Sequence, residues 1–578
     1  GLGYSLTNQP KVIVPFPAPN YENVTDITTV EGFSGIVTGI TTTSGTGGNP
    51  LALKFFLNST SFTGLLVSYP ICIVDTTVGS GVTLSGDSSV GALTGTAPTV
   101  AGDTNYNFTI RATDDESQTS DRAFSMTVTD WTVANSLRFD DGSSDYLNKT
   151  YGSNGTRTTW TFSTWIKRAN LGSDQRILSC DDDASGNQDD FIKFLSGDTI
   201  QIGFYNSGFY GEKTTNRVFR DVSASYHIVV VWDTTNGTAD DRIRLYVNGT
   251  RETSFLSSTN PSSSANSFIN STSYPLEIGR RGLNNTQYIN GYLAETVFID
   301  GQALDPTSFG ESDATSGIWK PKKLSGLTFG TNGFHLKFAD SGALGTDSSG
   351  NSNNFTVNNL TSIDQSTDTP VNNFATLNSL NYTSSTITYS QGNTFANFPG
   401  AWMASLPTIG ITTGKWYWEA KFNSGNNANM FYGIAREGID LDTNPQNQIG
   451  VITQKNDGDR YIDGSYTASA ADTFSSGDIV GLALDLDSGT KTLKVYKNGT
   501  LLSSSGTINL TSNFDNYIIF PIFTGNSSSA TAEWQANFGN PSYSISSGNA
   551  DANGYGNFEY AVPSGYYALN TKNLAEDG

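Results

Sequence analysis

Six Asp and Asn side chains crowd one short stretch, Asp181-Asp182-Asp183…Asn187…Asp189-Asp190. Hard oxygen donors at this density are what Ca²⁺ takes, in sets of about 6–8. Asp181, Asp183, Asn187 and Asp189 are therefore candidate metal ligands, the plainer alternative being a solvated acidic turn. Histidine chemistry has little material: only His227 and His335 occur, the first opening an apolar strand, and a structural role is expected for both. A His-based triad or a His-rich zinc site has too few residues to form. HExxH, Walker A and GxSxG motifs are absent. The two cysteines, Cys72 and Cys180, fall among apolar neighbours in different segments. Buried free thiols are expected, which excludes a disulfide framework.

The elements that must position these residues are strands. Gly (60 residues), Ser, Thr and Asn are abundant, charged residues make up 15% and aromatics 12%. β-branched and aromatic residues suit strands, and Gly, Asn, Asp and Ser suit the turns between them. Long helical periodicity is missing. At 578 residues several cores can be buried, and the chain reads as an all-β, multidomain protein. Residues 1–30, with Pro10, Pro15, Pro17 and Pro19, read as an extended arm. Residues 31–130 are β-rich and end in a hairpin of two alternating runs, Thr104–Thr113 and Ala123–Thr129. In 131–305 a Trp160–Lys167 strand precedes a meander, His227–Asp233, Arg242–Val247 and Thr250–Phe255, with Asn236-Gly237 and Asn248-Gly249 as tight turns. Residues 306–375 form an ordered connector that packs on its neighbours, because Trp319, Phe334 and Phe338 would otherwise be exposed. The meander recurs in 376–545, and Lys494-Val-Tyr-Lys-Asn-Gly-Thr500 echoes Arg244-Leu-Tyr-Val-Asn-Gly-Thr250. An offset of about 250 residues marks two similar sandwiches rather than a solenoid. Residues 546–578 read as a surface tail carrying Tyr555, Phe558 and Tyr566.

Several of these strings resemble known families. The strands around 104–129 are similar to the Ig-like and cadherin-like spacers of bacterial and phage surface proteins. The order Trp-rich strand, Val-Val-Trp-Asp233, Leu245-Tyr-Val-Asn-Gly249, Gly291-Tyr-Leu-Ala-Glu295 and Phe298-Ile299 resembles the laminin-G-like and pentraxin-like concanavalin-type jelly rolls. Gly414-Lys-Trp-Tyr-Trp-Glu419, Gly477-Asp-Ile-Val-Gly-Leu-Ala-Leu-Asp485 and Trp534…Asn537-Phe-Gly539 resemble the SPRY domain. The implied architecture is an Ig-like sandwich followed by two concanavalin-type jelly-roll sandwiches. Such folds host calcium at loop rims, retaining glucanases with paired carboxylates, and lectins whose exposed rings stack on sugars. The nearest carboxylate pair, Glu437…Asp440-Leu-Asp442, has the wrong offset for one strand face and reads as a loop after Arg436, so no enzyme is expected. Tyr205, Phe209 and Tyr210 in the first jelly roll, and Tyr461 and Tyr466 in the second, are the candidate glycan-binding rings.

The strings at 64–71, 77–83 and 343–351 resemble surface proteins of marine tailed phages, notably those of cyanobacteria. The resemblance implies a virion-surface protein, a tail fibre or related appendage attaching to a host glycan or protein. It would be made in the host cytoplasm, dock to other virion proteins and form a homo-oligomer, with a trimer favoured. A capsid-decoration or fibre-shaft protein making only protein contacts is the alternative. A formal charge of −22, from 54 acidic and 32 basic residues, repels nucleic acid and anionic lipid. No apolar run reaches the roughly 18 residues of a membrane span, and the opening Gly1-Leu-Gly-Tyr-Ser5 does not read as a signal peptide. Release by lysis is the expected route out of the cell.

Overall fold

The computed structural model describes residues 131–578 apart from 183, 314–315, 382–386, 399–401, 425–428, 470–471, 503–505 and 527–531, and within 1–130 the backbone of the strands. Among the described residues the chain is nearly all-β, with one α-helix at Thr571–Asp577, and it divides into two compact units, Gly1–Thr132 and Val133–Gly578.

The first unit holds a six-stranded and a five-stranded sheet. Thr104–Thr113 and Thr119–Thr129 pair antiparallel from Thr104 opposite Val128 to Thr113 opposite Thr119. Leu2–Ser5 and Lys11–Val14, in the stretch expected as an arm, pair with each other inside the six-stranded sheet. The β-branched run Val12-Ile13-Val14 favours that outcome. Cys72 lies outside the described residues.

The second unit contains two sandwiches. In the first, two eight-stranded sheets face each other. Trp160, Phe162 and Ile166 of the strand Thr159–Arg168 and Ile228, Val230 and Trp232 of Tyr226–Asp233 point into the core. Alternate residues Val229 and Val231 point outward and are covered too, by Phe309 and the segment around 303–329. That double coverage explains the unbroken Ile-Val-Val-Val-Trp run, since a strand buried on both faces loses its polar alternation. The connector does not merely pack on this sandwich. Phe334–Leu336 pairs with Gly291–Asp300, Thr356–Asn358 with Tyr146–Lys149, and Gln365–Ser366 with Ser136–Phe139. The second sandwich sets a nine-stranded sheet against a six-stranded one around Trp416, Trp418 and Trp534.

Two of the Asn-Gly turns behave alike. Asn248-Gly249 and Asn498-Gly499 both have positive φ at both residues (47° and 77°; 46° and 77°), as a two-residue hairpin requires. Each Asn also accepts, through Oδ1, the amide that opens the neighbouring strand: His227 N at 2.7 Å and Ile479 N at 2.9 Å. Asn236-Gly237 is different. It sits in the longer connection 234–242, which contains the 3₁₀ turn Ala239–Asp241, because nothing local to the pair forces the strands to close there.

The C-terminal segment is no surface tail. Phe558, Tyr566 and Ala568 are buried against Phe374, Tyr417 and Ala483 on the outside of the nine-stranded sheet. Glu419, fully buried, anchors it by accepting from Glu559 N (2.9 Å), Tyr560 N (2.8 Å), Tyr417 Oη (3.1 Å) and Asn537 Nδ2 (3.2 Å). Burial pushes the Glu419 carboxyl up, and these donors hold it down.

The sandwiches are joined by polar contacts with little exposure. Lys167 Nζ donates to Asp368 Oδ2 (2.7 Å), Asn373 Oδ1 (2.7 Å) and the Phe374 carbonyl (3.0 Å), so all three ammonium donors are used. Arg138 donates to the Pro541 and Ile363 carbonyls at 2.9 and 2.8 Å, and Tyr292 Oη to the Gly392 carbonyl at 2.8 Å. Burial raises the Asp368 carboxyl, and Lys167 opposes the rise. Replacing Lys167 by Met strands a buried carboxylate, and denaturant unfolding should show a loss of about 3–5 kcal/mol. Adding Asp368→Asn should return part of that loss.

Two further carboxyls are pushed up mainly by burial, Asp145 to about 7 and Asp190 to about 8. Their folded values exceed the unfolded one, so the ionised folded form is penalised above those values and the penalty lifts as pH falls. His227, neutral and pushed down to about 3 by burial, acts oppositely below about its unfolded value of 6.5. The melting temperature should rise as pH falls from about 8.5 and go on rising, more slowly, below about pH 6 where His227 offsets part of the gain, and Asp145→Asn should shrink the rise.

Candidate functional site

The sheet of the first sandwich that carries the acidic stretch runs Phe209–Val218, Thr199–Asn206, Gln188–Phe194, Gln175–Asp181. Strand alternation sorts its side chains. Cys180, Ile192 and Phe204 point into the core, while Arg176, Asp189, Phe191 and Tyr205 share the outer face.

On that face Tyr205 and Phe209 meet edge to face, with ring centroids 5.3 Å apart and planes at 77°. Phe209 is 42% exposed and lies 6.4 Å from Phe191. Phe191 lies across Gly203, where a Cβ would come within 2.3 Å of its ring. The Arg176 guanidinium covers Phe191 at 4.0 Å and the Lys193 ammonium lies 5.1 Å from its centroid. Tyr210, next in sequence, turns the other way. It packs on Phe204 and Trp232 and donates its hydroxyl to Asp190 Oδ1 at 3.0 Å. Asp190 also accepts from the amides of Phe268 and Ile269. Tyr210 is thus a structural clamp on a buried carboxyl. Of the three rings expected to bind glycan here, the structure brings together Tyr205 and Phe209.

Asp181 and Asp189 stand opposite each other on adjacent strands. Both oxygens of Asp189 accept from Arg176, at 2.8 and 2.7 Å, and Arg281 reaches Asp189 Oδ2 and Asp181 Oδ2 at 3.3 Å each. Asp181 Oδ2 further accepts from Leu283 N at 3.2 Å. Asn187 turns its side chain onto Ser185 Oγ, and Asp182 caps the loop through Ala184 N and Ser185 Oγ. Asp183 lies outside the described residues. Arg176, Arg281 and Phe191 were not singled out from the sequence. Arg176 is legible only as a strand neighbour of matching parity, and Arg281 lies a hundred residues from Asp181.

On the second sandwich Tyr461 and Tyr466 meet edge to face at 5.7 Å on the outside of the six-stranded sheet. The row continues across the outer face through Phe431 (6.0 Å) to Trp402 (5.6 Å). Tyr466 is 56% exposed, and Phe431 is buried. Glu437 and Asp440 follow the end of the strand Asn429–Arg436, in a turn, where Glu437 accepts from Ile518 N and Asp440 from Thr443 Oγ1 and Asp442 N. Cys180 is a buried free thiol that donates to the Phe268 carbonyl.

No curated protein matches the chain. Similar solved structures include the SPRY domain of human HERC1, at 19% identity and TM-score 0.21, covering 25% of this chain and 87% of that one. Another is a protein of Bacteroides ovatus provisionally described as carbohydrate-binding (13% identity, TM-score 0.30, 58% of this chain and 95% of that one). A third is the heptameric SAP-like pentraxin of Limulus polyphemus (17% identity, TM-score 0.24, 30% and 79%). Residues 141–308 match the model of the concanavalin A-like lectin/glucanases superfamily, in its laminin-G form, and this segment of the first sandwich is a concanavalin-like jelly roll.

Proposed function

We propose that the chain is a non-catalytic glycan-binding surface protein, and more narrowly a tail fibre or related appendage with which a tailed phage attaches to its host. The observation that carries the reading is the exposed Phe209 ring, set against Tyr205 on the outer face of a lectin-type sandwich. Rings held by neighbouring rings lose little freedom when a sugar stacks on them, which suits recognition of a polar ligand. The Tyr461–Tyr466 pair offers a second contact of the same kind. The phage assignment rests on the sequence strings at 64–71, 77–83 and 343–351, and the negative charge suits a repetitive, soluble assembly. Other virion proteins are its docking partners, and a homotrimer is the assembly proposed.

Binding of the intact chain to surface polysaccharide extracted from candidate marine cyanobacterial hosts tests the reading. Saturable, sugar-competed binding is expected. Phe209→Ala should weaken it about tenfold, roughly 1.4 kcal/mol, with little change in melting temperature. Tyr210→Phe should do the reverse, lowering stability by about 1–3 kcal/mol because Asp190 loses a donor, while binding by the folded protein persists. If the folded chain ignores every host polysaccharide, a decoration or shaft role built on protein contacts replaces this reading.

A further inference from the structure

We infer that the Arg281 guanidinium is the built-in cation of the acidic rim, closing the loop 182–187 onto the sheet where a calcium ion would otherwise be needed, so that the rim assembles without metal. Arg281 bridges the two carboxylates that stand opposite each other, with Nε 3.3 Å from Asp181 Oδ2 and Nη2 3.3 Å from Asp189 Oδ2. Arg176 takes both oxygens of Asp189 from the other side and is itself fixed by Gln287 Oε1 at 2.8 Å. Two carboxylates thus meet two guanidiniums, and the cluster is neutral. The remaining arginine of the neighbourhood, Arg280, is committed to Glu277 at 2.6 Å and to the face of Tyr146 at 3.5 Å.

Ca²⁺ needs about 6–8 oxygens at roughly 2.3–2.6 Å. Here both oxygens of Asp189 and Oδ2 of Asp181 already accept from guanidinium or amide N–H groups, and the Asn187 side chain donates to Ser185 Oγ. A divalent ion entering between Asp181 and Asp189 would sit beside two fixed guanidiniums whose charges those two carboxylates already balance. Asp181, Asn187 and Asp189, the described members of the expected ligand set, do not fit calcium.

The loop itself is built around the arginine. Gly186, at φ +64°, lies against Arg281 and Leu283, and a Cβ there would come within 2.6 Å of Leu283 Cδ2 and 3.3 Å of Arg281 Nη2. Asp182 N donates to the Gln188 carbonyl and Gly186 N to the Asp182 carbonyl, which closes the loop on itself. Ser207 N then donates to the Asn187 carbonyl at 2.7 Å, tying the loop to the turn between Tyr205 and Phe209. Arg281 is therefore a positioning residue for the aromatic rim, and this role stands whether or not the rim binds a glycan.

The test is the melting midpoint of the full chain in excess CaCl₂ and in EDTA, for the wild type, Arg281→Gln and Arg281→Lys. The wild type and Arg281→Lys should melt alike in both media. Arg281→Gln should melt lower than the wild type in EDTA and exchange the amides of 182–187 and 207 faster. A wild-type midpoint that rises by about 5 °C or more in CaCl₂, the size a ligand well above its Kd produces, would overturn the inference. So would an Arg281→Gln chain that melts and exchanges like the wild type. The wild-type comparison needs no variant, so a variant that fails to fold leaves the inference open to refutation.

Discussion

The ammonium of Lys167 is buried between two sandwiches with three acceptors and no water-facing surface to escape to. A charge in that position is tolerated only when its partners are held in place, because losing one leaves the other uncompensated in a low-dielectric interior. Asp368, Asn373 and the Phe374 carbonyl all come from the short stretch that links the sandwiches, so one side chain of the first sandwich sets the path of the chain into the second. Phe374 is then delivered to the outside of the nine-stranded sheet, where it helps bury Phe558 and Tyr566, and Glu419 pins the segment that carries them.

This arrangement decides which surfaces remain available. In the first sandwich the sheet containing Tyr226–Asp233 is covered on its outer side by the segment around 303–329. In the second, the nine-stranded sheet is covered by the C-terminal segment. The exposed aromatic pairs, Tyr205 with Phe209 and Tyr461 with Tyr466, lie on the other sheet of each sandwich. The connecting segments close one face of each sandwich, and the exposed rings of Phe209 and Tyr466 lie on the opposite sheet.

What could be read in the sequence was what local chemistry determines. Asn248-Gly249 and Asn498-Gly499 announce hairpins because few residues accept positive φ at two successive positions. The repeat of these turns revealed two sandwiches, and alternation along Trp160–Lys167 separated core from outer face. What escaped depends on partners far along the chain. The stretch 546–578 is rich in Gly, Ser and Asn and reads as surface, yet its anchor Glu419 lies 140 residues away from Glu559. The acidic run reads as a metal loop because its five carboxylates, Asp181 to Asp183 and Asp189 with Asp190, are each adjacent in sequence to another, while the arginines that neutralise Asp181 and Asp189 come from elsewhere in the sheet and from residue 281. Tyr210 sits one residue from Phe209, and a register shift between Phe204 and Tyr205 against their partner strand helps decide which ring turns inward.

The proposed glycan contact is the open face of the first sandwich at its Tyr205–Phe209 rim. Hydrogen–deuterium exchange of the intact chain, with and without saturating host polysaccharide, addresses that claim at the level of individual segments. The account requires slowed exchange in 187–189 and 203–211, with the covered sheets unchanged. Unchanged exchange across those segments under saturating ligand, or protection confined to other parts of the chain, would contradict it.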